Sequence, residues 1–196
     1  MRKANMMVLL FATMTMGLAS CGKDDSGGDV GSGLPTFTTL YSYIGRTDIE
    51  NIKSEFSSKG YDIRMEENDL LAEKEDVDFW EFEIDGGKVT GVSYDFEERN
   101  GKTKELLISK LNEEKQFRSQ SSLTRYSGGY YLRNGGETDY FQSETDFQSK
   151  DELIAALQTL SLSSVDEGWS SSNYSDVETS FIFGGDNGFD FRVKLI

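Results

Sequence analysis

The sequence predicts an α+β fold: three helix-strand-hairpin repeats, with helices packed on one face of an extended antiparallel sheet. Three observations lead there. Paired glycines recur at 86/87, 135/136 and 184/185, 49 residues apart both times, and such pairs supply the positive φ of tight hairpins. Apolar and polar residues alternate around those pairs, as in strands with one buried and one wet face. A segment of helical period precedes each hairpin.

The first helix opens at Thr47-Asp48-Ile49-Glu50, which reads as a capping box. Ile49, Ile52 and Phe56 share its apolar face, and Gly60 stops it. The second follows Asn100-Gly101 and runs from Glu105 to Leu111. The third opens at the capping box Ser149-Lys150-Asp151-Glu152 and carries Leu153, Ile154, Leu157 and Leu160. Between each helix and its hairpin there is room for one strand, at 61–65, 116–126 and 169–174. The first copy carries extra sequence at 69–75.

Within the hairpins, Trp80, Phe82 and Ile84 alternate with Glu81, Glu83 and Asp85. Val92, Tyr94 and Phe96 alternate with Ser93 and Asp95, and Phe189, Phe191, Val193 and Leu195 with Asp190, Arg192 and Lys194. The apolar set is the expected core. Repeated helix-and-sheet modules of this kind resemble, in architecture alone, small periplasmic inhibitor-like lipoproteins.

Composition removes several classes of function. The 196 residues hold 35 Asp+Glu, 20 Lys+Arg, no histidine and one cysteine. Without histidine there is no Ser-His-Asp triad, no Cys-His pair and no His-ligated zinc. One cysteine excludes an intrachain disulfide and a multi-cysteine cluster. A net charge of −15 disfavours a nucleic-acid surface, which needs clustered cations to neutralise phosphates.

The N-terminus reads as an address. Arg2 and Lys3 precede an apolar run over 6–16, shorter than the roughly 20 residues that cross a bilayer. A charged start, a short apolar core and small residues describe a signal peptide at 1–20. Leu18-Ala19-Ser20-Cys21 resembles the lipobox of bacterial lipoproteins. The resemblance implies cleavage between Ser20 and Cys21, and lipidation of Cys21, including a thioether-linked chain and palmitate-type acylation. Several acyl chains, at about 0.8 kcal/mol per buried CH₂, hold a protein stably at a membrane.

Gly22-Lys23-Asp24-Asp25 follows. Lys23, Asp24 and Asp25 resemble the export signal of surface-exposed Bacteroidota lipoproteins, which implies an outer-membrane protein facing the cell exterior. Residues 21–36 are rich in Gly, Asp and Ser, and read as the lipidated cysteine and a flexible tether. Residues 37–196 read as a single α+β globular domain. Loss of Arg2 and Lys3 leaves 18 basic against 35 acidic residues, a net charge of −17.

Three features could carry chemistry. Glu81, Glu83, Asp95 and Glu97 share the wet face of the first hairpin, where solvent denies an acid the burial that raises its pKa. The expectation is a hydrated surface with no catalytic residue, hence no enzyme. A weak Ca²⁺ site could form at Asp186-Asn187-Gly188 with Asp190, or at Asp76-Val77-Asp78. Asp-Asn-Gly is first of all a turn, so no metal or cofactor is expected. Tyr126, Tyr130, Tyr131, Trp169 and Tyr174 lie beside Gly- and Ser-rich stretches. On loops, such aromatics would stack on sugars or anchor a protein. The expected function is therefore a lipid-anchored, non-enzymatic binding domain for a protein partner. A surface glycan-binding accessory role comes next, and a small carboxylate-dependent hydrolase third.

Overall fold

Around the paired glycines the backbone turns as the sequence requires: Gly86 and Gly87 hold φ of 57° and 76° in the computed structural model, joining two strands of one antiparallel sheet. The structure describes residues 33–75, 78–96, 103–117, 130–135, 141–162, 165–184 and 189–196, with backbone alone at 130–135, 141–144 and 166. The fold is α+β. Its elements are α1 (Phe37–Tyr41), α2 (Ile49–Ser58), β1 (Asp62–Glu66), β2 (Asp69–Lys74), β3 (Asp78–Asp85) and β4 (Lys88–Phe96). They continue with α3 (Lys104–Phe117), β5 (Tyr130–Gly135), β6 (Phe141–Asp146), α4 (Lys150–Thr159), β7 (Val165–Asn173), β8 (Val177–Gly184) and β9 (Phe189–Leu195).

The strands lie in the order β1-β2-β3-β4-β9-β8-β7-β5-β6, and neighbours pair antiparallel. Chain order and spatial order differ. The last three strands insert beside β4, and the β5–β6 hairpin lies at the far edge.

The helices form for local reasons that the sequence shows unevenly. Ser149 caps α4, its Oγ accepting from the Glu152 amide at 3.3 Å, while Glu152 Oε2 accepts from the Gln148 amide at 2.8 Å. The box expected at Thr47–Glu50 does not form. Asp48 is the N-cap but makes no capping bond; its carboxylate instead accepts from Arg46 at 2.9 and 2.7 Å. A charge-assisted, two-bond contact outcompetes one amide donor. Gly60, at φ 85°, ends the first expected helix as read.

Other expectations are corrected. The short helix α1 has no long apolar period and was not anticipated; Thr36 caps it by accepting from the Thr39 amide at 3.0 Å. Residues 116 and 117 belong to α3 rather than to a strand, and 118–126 lie outside the described residues. Residues 69–74 are the strand β2, paired with both β1 and β3, not inserted sequence.

One apolar set forms the core. Trp80, Phe82, Val92, Tyr94, Phe181, Phe191 and Val193 are buried, and the register places Trp80, Tyr94, Phe191 and Phe181 side by side across β3, β4, β9 and β8. Phe37 of α1 meets Phe191 at 5.1 Å, and Phe56 of α2 meets Trp80 and Phe82 at 5.1 and 5.2 Å. These are aromatic contacts at favourable separations. Gly168 is required by packing: a Cβ there would lie 2.2 Å from the Phe183 ring.

A polar knot sits within this core. Glu114 of α3 is fully buried and Lys150 of α4 is 4 % exposed, their charged atoms 3.1 Å apart. Ser170 and Thr179 donate to the Glu114 oxygens at 2.7 and 2.9 Å, and Lys150 donates to Ser172 Oγ at 3.0 Å. Burying such a pair is favourable only when the remaining polar valences are met, as they are here.

Candidate functional site

The period-2 alternation that buries Phe191 turns Asp190, Arg192 and Lys194 to the other face of the sheet. Register aligns one row across it: Phe79 beside Asp95, Asp95 beside Asp190, Asp190 beside Ile182, and Ile182 beside Trp169. Ile182 is 41 % exposed, and Phe79, Asp95, Asp190 and Trp169 are half-buried. A cavity of about 330 Å³ opens on this face, with Arg64, Leu71, Phe79, Glu81, Asp95 and Asp190 in its wall.

The row has an electrostatic centre. Burial pushes the Asp190 carboxyl up to about 7, and the charges of Asp95 and Glu81 push it further in that direction. Among the described residues, three cations of the face are paired with other carboxylates. Arg64 pairs with Glu66 and Glu73 at 2.9 and 3.0 Å. Arg192 and Lys194 both pair with Glu83. Gly91 makes this last arrangement fit, since a Cβ there would stand 2.8 Å from the Glu83 carboxyl carbon.

The acidic residues named from the sequence therefore divide. Glu83 is neutralised by two cations from β9. Glu81 accepts a long bond from Ser93 at 3.4 Å, and Asp95 joins Asp190 in the cavity wall. Glu97 lies outside the described residues. The wet face was expected to be uniformly hydrated; at Asp190 it is not, because the sheet brings the carboxylates of Asp95 and Glu81 beside a half-buried third. Asp190 was named only as a calcium ligand. Its alternation is plain in the sequence, but its pairing with Asp95 joins residues far apart in the chain.

The aromatic candidates need correction too. Tyr174 is 3 % exposed, edge-on to Phe117 at 5.9 Å, with its hydroxyl 3.5 Å from the Glu114 carbonyl. It belongs to the core, because leaving the end of β7 turns it inward under α3. Tyr130 and Tyr131 open β5, and Trp169 lies inside β7 opposite Tyr131. They sit on paired strands rather than loops. Tyr126 lies outside the described residues, as do Ser20, Cys21, Lys23, Asp24 and Asp25.

For calcium, Asp78 accepts from the Tyr61 hydroxyl at 2.7 Å and Asp190 lies in β9; their proposed co-ligands at 76–77 and 186–188 are outside the described residues. Among the described residues, no group of three or more carboxylates, cysteines or histidines is arranged to hold a metal ion. Among them too, no helix is long and apolar enough to cross a membrane.

Comparison with known proteins finds no family model, no curated protein and no solved structure that matches this chain.

Proposed function

We propose that this chain is a lipid-anchored outer-membrane protein, held by Cys21 and displayed at the cell exterior, whose domain binds a protein partner through the open face of its sheet. The lipobox Leu18-Ala19-Ser20-Cys21 supports the anchor, and Lys23-Asp24-Asp25 the outward display. The observation that carries the binding reading is the row Phe79, Asp95, Asp190, Ile182 and Trp169, apolar at both ends and acidic at its centre. The chain reads as three helix-strand-hairpin units whose helices cover one side of the sheet. Contacts of Phe37, Phe56 and Lys110 with Phe191, Trp80 and Phe82 support that arrangement. A face opposite the helices then carries this row.

Two experiments test this reading. Protease shaving of intact cells should remove the domain while a periplasmic control survives, and Cys21→Ala should abolish incorporation of labelled palmitate. A photoreactive residue placed at Ile182 should give adducts of discrete mass in intact cells, and one at Glu105 of α3 should not. Survival of the domain until the outer membrane is broken would end the surface reading. Equal labelling from both positions would end the docking reading.

One observation favours a second reading, a carboxylate-dependent hydrolase. Asp190, raised to about 7, stands beside Asp95 on the neighbouring strand, as an acid and its partner carboxylate do in glycoside hydrolysis. Turnover of cell-wall or capsular glycans that is lost in Asp190→Asn would establish it over the binding reading.

A further inference from the structure

We propose that two copies of this chain pair through strand β1, antiparallel and centred on Ile63, so that their sheets join edge to edge. β1 ends the sheet, and among the described residues only β2 pairs with it. Asp62, Arg64, Met65 and Glu66 are exposed, Met65 by 45 %. Glu66 pairs with Asp69 across the two-residue turn Glu67-Asn68, which fixes the hydrogen-bond phase of the hairpin. Asp62, Arg64 and Glu66 therefore direct their amides and carbonyls to β2, while Ile63 and Met65 direct theirs outward. Such an edge is a template for another strand. This one carries none of the proline, lysine or bulge that usually blocks pairing.

The side chains choose the occupant and the register. With Ile63 opposite Ile63 of a second copy, each Arg64 stands opposite an Asp62, and each Met65 opposite a Tyr61. Opposite charges then face each other, and an exposed apolar residue gains cover. Other registers fail on the same residues. Ile63 opposite Met65 sets Arg64 against Arg64 and Asp62 against Glu66, and like charges directly opposite destabilise a pair. Ile63 opposite Tyr61 sets Asp62 against Asp62. Centring on Met65 brings Ile63 to Glu67, which has left the strand at φ 54°. In the favoured register the two Ile63 residues exchange both backbone bonds, and each Met65 amide donates to a Tyr61 carbonyl. The Tyr61 amide stays with the Phe56 carbonyl at 3.1 Å.

Symmetry agrees with this pairing. The two-fold axis that relates two antiparallel strands stands perpendicular to their sheet, so both copies keep the same face up. Phe37 of α1 meets Phe191 on the core face. Both α1 helices then lie on one side of the joined sheet, as suits two chains anchored in one membrane, and both open faces lie on the other. A five-residue edge makes a small interface. Confinement of both chains to one membrane raises their effective concentration. The pairing is independent of the partner proposed for the open face.

The test uses the full-length chain in intact cells. Ile63→Cys sets two thiols across a pair whose Cα atoms lie about 5.5 Å apart, within the span of a disulfide. A mild oxidant should give a dimer of twice the chain mass, at least about tenfold above the parent chain with Cys21 alone. Met65→Cys leaves its thiols roughly 13 Å apart along the strands and should bridge no better than the parent. Asp62→Arg sets an arginine opposite Arg64 and should lower the Ile63→Cys dimer at least about fivefold. Adding Arg64→Asp should restore it to within about twofold. A photoreactive residue at the exposed Met65 reads the same edge without altering Ile63, and should give an adduct of twice the chain mass. Thermal melts of the purified variants confirm their fold. No disulfide from a folded Ile63→Cys chain, equal bridging from Met65→Cys, or no rescue by Arg64→Asp would each overturn the inference. So would photoadducts at Met65 of other masses alone, which would give the edge to a different protein.

Discussion

Glu114 of α3 and Asp190 of β9 bring carboxylates against the same sheet from opposite faces. Glu114 is wholly buried and fully met: Lys150 lies 3.1 Å away, and Ser170 and Thr179 donate at 2.7 and 2.9 Å. Asp190 is less buried, yet it faces Asp95 and Glu81 and its carboxyl is pushed up to about 7. Burial and like-charged neighbours together raise the Asp190 carboxyl, whereas a cation and two hydroxyl donors surround Glu114. Where the protein needs a rigid joint between α3, α4, β7 and β8, it satisfies its charge. At Asp190, burial and the nearby carboxylates of Asp95 and Glu81 act in the same direction.

The largest expected effect breaks the satisfied side of this comparison. Glu114→Leu strands the Lys150 ammonium in the core, which costs about 3–5 kcal/mol by denaturant unfolding. Adding Lys150→Met should recover most of that loss, since a matched apolar pair is often as stable as a buried ion pair. If the double variant were as unstable as the single one, the knot would be holding α3 and α4 by something other than its charges.

Next in size, and opposite in sign, is Asp190→Asn. An acid whose folded pKa is raised from 3.8 to about 7 binds its proton more tightly when folded. Stability from this group is therefore full below about pH 4 and declines as pH rises to about 7, because the unfolded chain gives up the proton first. The asparagine variant should be more stable than the parent by about 4 kcal/mol at pH 8, and nearly equal to it at pH 4, in urea titrations at both values.

A smaller loss probes the root of the chain's N-terminal segment. Lys110 donates to the Pro35 carbonyl at 2.6 Å and to Glu113 at 2.9 Å, while Glu113 accepts from the Phe37 amide at 2.6 Å. Lys110→Met should cost about 1–2 kcal/mol and speed hydrogen exchange at the Phe37 amide. The smallest effect serves as a baseline outside both regions: Ser149→Ala removes an exposed cap, costing about 1 kcal/mol at every pH where α4 is folded.

What could be read from the sequence follows the range of each interaction. Gly86-Gly87, the Ser149 cap and the alternation around Trp80, Phe191 and Asp190 are local signals, and they identified the hairpin, α4 and the two faces of these strands. The cap at Asp48 failed because Arg46 is an equally local competitor for the same carboxylate. Strand β2 is hard to read in the sequence because Asp69–Lys74 is short and its hydropathy alternates only weakly. The site was half legible. That Asp95 and Asp190 face away from the core is plain from their apolar neighbours. That β9 returns to pair with β4, and so sets the two carboxylates side by side, depends on a strand order that no local pattern encodes. Tyr174 was misjudged for the same reason: its burial depends on Phe117, fifty-seven positions earlier in the chain.

The comparison rests on Asp190 being held in a costly state by burial and by its neighbours. The most direct measurement is the titration of the Asp190 side-chain carboxyl by ¹³C NMR, in the parent and in Asp95→Asn. The parent should titrate near 7 and the variant clearly lower, because one of the two repelling charges is gone. A midpoint near the ordinary 3.8 in both would show a relaxed, hydrated surface acid, and would contradict the account of the open face.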